Sequence, residues 1–308
     1  MYSKIPRQGT MIEIASSGAL LVFGGPYSNL PATRALRDVA AGLGVSPDRA
    51  ICTGDVVAYG ADPEATVDLI RDWGCHVIAG NCEEQLAAGA DDCGCGFEEG
   101  TACAALSKGW YPYANARVSI ASRAWMAALP KSLRLSFGGA MMRVVHGGTD
   151  VTNQFLFESQ SADIAHALDR AHADVVLAGH CGLPFAVPNV SPTGRRQLWV
   201  NAGVIGMPAN DGTPDTWYAL IHARQGGLRI EWHRLPYDHI AAAAAMRRAG
   251  HANPYARTLI TGVWPSFDIL PPAERAASGR RIEPAAVTVQ TPLPAHASRD
   301  HAKTAFAQ

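Results

Sequence analysis

The chain has 308 residues, a formal net charge of −1 and 17% charged residues, enough for one large or two small domains with a sizeable core. That balance excludes a basic nucleic-acid footprint and a polybasic membrane anchor, and no apolar run approaches the roughly 20 residues of a membrane span. Seven cysteines, an odd number without a Cys-x-x-Cys pair, and no secretory apolar stretch after Lys4 and Arg7, point to reduced thiols in a cytoplasmic protein.

Residues 1–18 read as a poorly ordered lead-in. Ala19-Leu20-Leu21-Val22-Phe23 is the first strand, and it runs into Gly24-Gly25-Pro26-Tyr27-Ser28-Asn29. A helix starts there, with Asn29 as its cap and Pro31 in its first turn. The Gly24-Gly25 loop is either a tight strand-to-helix connection or a cradle that binds phosphate through backbone amides. Ile51-Cys52-Thr53 ends in Gly54-Asp55, and Asp62-Pro63 opens the next helix, with Asp62 as cap. His76-Val77-Ile78-Ala79 ends in Gly80-Asn81-Cys82. A thiol at a helix N-terminus tends toward a lowered pKa. Cys82 is therefore expected at a pocket mouth, as thiolate ligand or nucleophile, with an inert half-buried thiol as the other reading. Residues 91–103 are acidic, glycine-rich and hold Cys93-Gly94-Cys95. They supply soft ligands or a redox pair, or form a solvated loop with inward-packed cysteines. Cys93 and Cys95 are expected to be more exposed than Cys52, and Glu98 and Glu99 to open a short helix.

A helix over 114–128 ends near Leu129-Pro130. Strands over 133–138 and 140–145 form a hairpin at Gly138-Gly139, the second ending in His146-Gly147. After a helix over 160–172 comes Val175-Val176-Leu177-Ala178-Gly179-His180. This short apolar run reads as a buried parallel strand that delivers a histidine to the carboxyl end of a sheet. Strands around 196–200, 216–222 and 228–234 are assigned together to a second sheet. Helices occupy 238–261, and a flexible tail begins at about 280. The resulting division is a lead-in at 1–18, a main domain at 19–237, a helical extension at 238–280 and a tail at 281–308. Asp55, Asn81, His146 and His180 each stand just past a strand, and their oxygen and nitrogen atoms suit a metal.

The order of these motifs resembles the calcineurin-like metallophosphoesterases, which carry Asp-x-His, Gly-Asp, Gly-Asn-His, His-Gly and Gly-His-x-His, each after a strand. The resemblance spans roughly residues 19–235 and includes Leu129-Pro130 and Asn201-Ala202-Gly203. It implies an α/β fold, a four-layer α/β/β/α sandwich of two mixed sheets, and a metal-dependent hydrolase of phosphate esters. In the family two metals share the Gly-Asp aspartate. The ligands of one metal fall here on Gly25, Tyr27 and Gly182 and are missing. Those of the other fall on Asn81, His146 and His180 and are complete, with Asp55 common to both. The resemblance thus implies one divalent transition metal (manganese, iron or zinc) on Asp55, Asn81, His146 and His180. Cys82, in place of the family histidine that helps hold or protonate the ester, and Tyr27 are the candidate catalytic groups. The Gly24 and Gly25 amides are candidates for holding phosphate. The implied partner is a small phosphorylated molecule; homo-oligomerisation stays open. A second function class is a non-catalytic metal- or ligand-binding protein, redox-sensing through its cysteines, on the same scaffold.

Overall fold

The computed structural model describes residues 11–250 and 254–290. In chain order the first half runs β1 (Met11–Glu13), β2 (Ala19–Phe23), α1 (Leu30–Gly42), β3 (Ala50–Cys52), α2 (Pro63–Trp73), β4 (His76–Val77), α3 (Asn81–Ala88), α4 (Ala102–Asn115) and α5 (Ile120–Ala128). There follow β5 (Leu133–Phe137), β6 (Ala140–Val144), α6 (Ser161–Ala171), β7 (Val175–Ala178), β8 (Pro184–Val190) and β9 (Arg196–Ala202). The chain continues through β10 (Thr216–Arg224), β11 (Gly227–Leu235), α7 (His239–Arg248), α8 (Tyr255–Thr261), α9 (Pro272–Ala276) and β12 (Val287–Gln290).

The strands make two six-stranded mixed sheets, ordered β1-β5-β6-β7-β9-β8 and β12-β11-β10-β2-β3-β4. Side chains alternate across a strand, and here both faces of the central strands are covered. From β2, Leu20 and Val22 meet Leu177 and Val200 of the opposite sheet in the inter-sheet core. Leu21 and Phe23 turn the other way and pack among Leu36 of α1 and Val67 and Ile70 of α2. From β7, Val175 and Leu177 point inward, while Val176 and Ala178 pack on Ile164 and Leu168 of α6. Continuous apolar runs such as Val175–Ala178 are what a doubly covered parallel strand requires. The expected four-layer α/β/β/α sandwich is thereby realised. Parallel pairing of β2, β3 and β4, and of β6, β7 and β9, brings the carboxyl ends of the motif strands to the same end of the two sheets.

Several local expectations are corrected. β9 pairs in parallel with β7, Leu177 opposite Val200, whereas β10 and β11 join β2 in the other sheet. The difference arises at β8, which the sequence pattern does not announce. It carries Pro184 and Pro188 and tolerates them as an edge strand, and its hairpin with β9 returns the chain beside β7. The lead-in contains β1, which pairs in parallel with β5, and the tail contains β12, which pairs antiparallel with β11. Residues 1–10 and 291–308 of those two segments lie outside the described residues. The helix expected over 114–128 is two helices: α4 stops at Asn115, and Ser119 caps α5 by accepting from the Ser122 amide at 3.1 Å. Glu98 and Glu99 do not open a helix: α4 begins at Ala102 with Thr101 as its cap, and Asp62 stands at the N-cap of α2 without a side-chain capping bond.

Candidate metal centre

Each residue of the centre sits on the turn after a strand. β3 runs through Thr53 and Gly54 to Asp55, whose φ is +56°; β7 runs through Gly179 to His180, whose φ is +61°. Both adopt a left-handed backbone that non-glycine residues seldom populate, a strain that collects at functional sites. Gly54 and Gly80 allow the two neighbouring turns to touch. A Cβ on Gly54 would lie 2.6 Å from the Gly80 nitrogen and 2.9 Å from His146 Nδ1, and one on Gly80 would strike the Asp55 carboxylate.

Four side chains converge on one point, all of them buried. His146 Nε2 lies 3.0 Å from His180 Nδ1, 3.1 Å from Asn81 Oδ1 and 3.2 Å from Asp55 Oδ2. The ligand atoms of Asp55, His146 and His180 all lie within 4.8 Å of one another. Three of the four orientations, those of His146, Asn81 and Asp55, are fixed from behind. His146 Nδ1 donates to the Thr53 carbonyl at 2.6 Å, which leaves Nε2 with its lone pair inward. Asn81 Nδ2 donates to the Cys93 carbonyl at 2.8 Å, so its oxygen faces the centre. The Cys82 amide donates to Asp55 Oδ1 at 3.2 Å. Two imidazole nitrogens, an amide oxygen and a carboxylate oxygen therefore face one another with at most a proton or two to separate them. Burial opposes charge on His146, but the Asp55 carboxylate outweighs it and raises the imidazole pKa. For Asp55 burial pushes upward, and His146 more than offsets it, so the carboxyl is held low. Burial and the neighbouring His146 push His180 down to about 3, against the pull of Asp55. A divalent cation at the centre answers all of these demands, and the donor set fits manganese, iron(II) or zinc.

Two supporting residues stand behind the centre: Glu83, to which the sequence assigned no role, and Asn201, from the Asn201-Ala202-Gly203 motif. Glu83 is fully buried; Oε2 accepts from the amides of Asp55 (2.7 Å) and Gly80 (2.9 Å), and Oε1 from Val56 (2.8 Å). It ties the Asp55 turn to the start of α3. Its pKa is pushed up to about 7 by burial and by Asp55, against the amides that favour the anion. A Glu three residues into a helix was the available signal. Asn201 donates to the Gly179 carbonyl at 2.7 Å and accepts from the Gly203 amide at 3.0 Å, which braces the His180 turn.

The remaining candidates behave differently from expectation. The Gly24 and Gly25 amides are already committed, to the carbonyls of Gly203 (3.0 Å) and Gly54 (3.1 Å), and so form no phosphate cradle. Tyr27 folds back so that a Cβ on Gly25 would stand against its Cζ, too close for any side chain while the ring is there. Its phenol lines the pocket, and burial followed by the charge of Asp55 raises its pKa, which disfavours a phenolate. Cys82 is 1% exposed and lies behind Asn81 rather than at a pocket mouth. Contact with the Cys95 thiol lowers its pKa, but burial and Asp55 prevail, and the thiol is raised rather than activated. Cys93 and Cys95 are indeed more exposed than Cys52, at 3% and 5% against 0%, yet all three are buried. The position of Gly182 is covered by the Trp264 ring, 3.3 Å from where a Cβ would stand.

A four-layer sandwich with an Asp, Asn, His, His cluster at its strand ends defines a metallophosphoesterase-like protein. Residues 28–226 match the calcineurin-like phosphoesterase superfamily domain, and the chain belongs to that family. It is similar to a metallophosphoesterase from Sphaerobacter thermophilus (TM-score 0.61, 21% identity, 80% of this chain and 99% of that one). It is also similar to the hypothetical protein PH1004 from Pyrococcus horikoshii (TM-score 0.66, 16% identity, 81% and 99% covered). Among curated proteins it is 23% identical over 224 residues to the uncharacterized protein MJ0912 of Methanocaldococcus jannaschii, covering 69% of this chain and 85% of that one. At these identities the likeness carries the fold. Among the described residues no helix is long and apolar enough to cross a membrane.

Proposed function

We propose that this protein is a metal-dependent hydrolase of phosphate esters that works with one metal ion, held by Asp55, Asn81, His146 and His180. The observation that carries this reading is the convergence of three buried atoms, His180 Nδ1, Asn81 Oδ1 and Asp55 Oδ2, on His146 Nε2, with His146, Asn81 and Asp55 each held by a backbone group behind it. Support for one ion rather than two comes from the aromatic rings. Tyr27 covers the Gly25 position and Trp264 the Gly182 position, so side chains fill the space in which a second ligand set would project. A bound divalent ion would supply Lewis-acid polarisation of the phosphoryl group and acidify water.

In the reaction, a water oxygen bonds to phosphorus and one phosphorus–oxygen ester bond breaks. The departing alcohol takes up one proton of that water. The chain's part is to hold the charge: Asp55 is the anionic member of the set, and His146 is locked by Thr53 with its lone pair toward the centre. Metal content should be measured on protein purified without chelator, followed by phosphodiester and phosphomonoester hydrolysis across manganese, iron(II) and zinc. About one ion per chain and metal-dependent turnover are expected, with both falling at least tenfold in Asp55→Asn. Two ions in the unaltered protein would overturn the mononuclear reading; absence of turnover under every metal, with metal bound, would overturn the hydrolase.

A further inference from the structure

Over the candidate centre the chain builds a pocket that opens to solvent; its enclosed floor, about 50 Å3, is lined by Asp55 and His180, and a ring-sized guest would lie in its open mouth between the walls. Six aromatic side chains form its walls. On one side Tyr27 meets Tyr59 edge-on at 4.9 Å, and Tyr59 packs on Tyr255 at 4.4 Å. On the other, Phe97 stacks on Phe155 at 6.2 Å, and Phe155 lies 4.1 Å from the His180 ring. Trp264 closes the third side, its indole N–H donating to the Pro208 carbonyl at 2.7 Å and its amide to Asn210 Oδ1 at 2.9 Å. Tyr255 and Trp264 lie beyond residue 226, where the family match ends. No Lys or Arg occurs among the described residues that line the pocket.

We propose that this pocket binds a flat aryl group, and that the substrate is a singly charged aryl phosphodiester. This rests on the hydrolase reading above and narrows it. Three features of the structure support it independently. Aromatic walls reward a flat apolar ring by burial and by edge or offset stacking. A divalent ion with the Asp55 carboxylate would leave at most one net positive charge, less where Glu83 behind the Asp55 turn is ionised, which favours a diester monoanion. A monoester is close to a dianion at neutral pH, and its second charge would enter an apolar pocket without a partner. Finally, Cys82 occupies the position of the family's ester-protonating histidine but is buried and does not line the pocket. A leaving group that departs as its own anion suits such a site. A phenol, with a pKa of about 10, does so far better than an alcohol, which is closer to water at about 15.7.

Two measurements on the full chain loaded with manganese test this separately from the hydrolase. Calorimetry would compare diphenyl phosphate, phenyl phosphate, dimethyl phosphate and glycerophosphocholine. Diphenyl phosphate is expected to bind at least about tenfold more tightly than each of the others. Trp264→Ala and Phe155→Leu are each expected to lower its affinity about tenfold, and Trp264→Ala to lower that of dimethyl phosphate by less than about twofold. The ranking on the unaltered protein decides the matter even if a variant fails to fold. Equal binding of diphenyl and dimethyl phosphate, or tighter binding of phenyl phosphate, overturns the aryl diester. Tighter binding of glycerophosphocholine would make the aromatic walls a cage for a quaternary ammonium and overturns it too. Turnover is read separately on bis(4-nitrophenyl) phosphate. Trp264-dependent binding of diphenyl phosphate without turnover upholds the pocket and removes the hydrolase. Turnover that does not discriminate aryl from alkyl diesters upholds the hydrolase and removes the pocket.

Discussion

The non-glycine residues with positive φ include Tyr27, Ser28, Asp55 and His180, which lie around the metal centre. Each such residue costs about 1–3 kcal/mol unless its surroundings hold it. Here the Tyr27 and Ser28 amides donate to the carbonyls of Asp55 and Val56, so the two strained turns brace each other. The cysteines show a different residue-scale economy. All seven are buried, and Cys95, Cys103 and Cys181 line the pocket while Cys52 and Cys75 sit in the core beneath. Burial pushes the Cys75 thiol up to about 12, so it offers almost no thiolate at neutral pH. Maleimide labelling of the native protein, mapped by mass spectrometry, should therefore be slow throughout. Cys95, Cys103 and Cys181 should react before Cys52 and Cys75, and all seven only after denaturation. Equal native labelling of Cys75 and Cys95 would contradict this packing. The motif residues themselves were legible because Gly-Asp, Gly-Asn, His-Gly and Gly-His follow apolar runs. The buried state of Cys82 was not, because one residue at a helix start can face the pocket or the core, and only packing decides between them.

Among the elements, α3 carries the site more than its length suggests. It is eight residues long, too short to be stable alone, yet it places Asn81 beside His146 in the candidate centre and Glu83 against the Asp55 turn. Glu83→Ala would leave the buried amides of Gly80, Asp55 and Val56 without their acceptor. At about 1–3 kcal/mol for each unsatisfied donor, reduced by relaxation and water entry, a loss of about 3 kcal/mol is expected. Chemical denaturation would measure that loss, and metal content should fall with it. A variant of full stability and full metal content would show that Glu83 does not hold the turn. The sequence read well where local chemistry fixes an element. The Gly138-Gly139 turn, both residues at positive φ, closes the β5–β6 hairpin, and Asn29 Oδ1 caps α1 by accepting from the Ala32 amide at 3.2 Å. It read poorly where pairing is non-local. β1 and β12 are edge strands whose partners lie far away in the chain, and β8, though it forms a hairpin with the neighbouring β9, is interrupted by Pro184 and Pro188; none has the long alternation that reveals a strand by itself.

At the scale of the whole molecule, the C-terminal extension is part of the site. α7 and α8 pack into the same core as α1 and α2, and the segment after α8 brings Trp264 over the turn that follows β7. This alters what it would take to rebuild a second metal position. Gly25→Asp with Tyr27→His removes the ring that now covers residue 25 and supplies two ligands of the family pattern. Gly182→His is harder: its φ is +77°, and a Cβ there would stand 3.3 Å from the Trp264 indole. The backbone strain is bearable, since His180 already adopts φ +61° two residues earlier. The steric block is harder to relieve, because the indole N–H is bonded to the Pro208 carbonyl and the Trp264 backbone amide to Asn210 Oδ1, which leaves the ring little freedom to give way. The triple variant should therefore still bind about one ion per chain, while adding Trp264→Ala should raise it to about two. Anomalous diffraction with manganese would place the added ion and metal analysis would count it. A triple variant that already binds two ions would show that the C-terminal segment does not guard the second position. A quadruple variant that folds and binds only one would show that something other than the missing ligands and Trp264 keeps the second ion out.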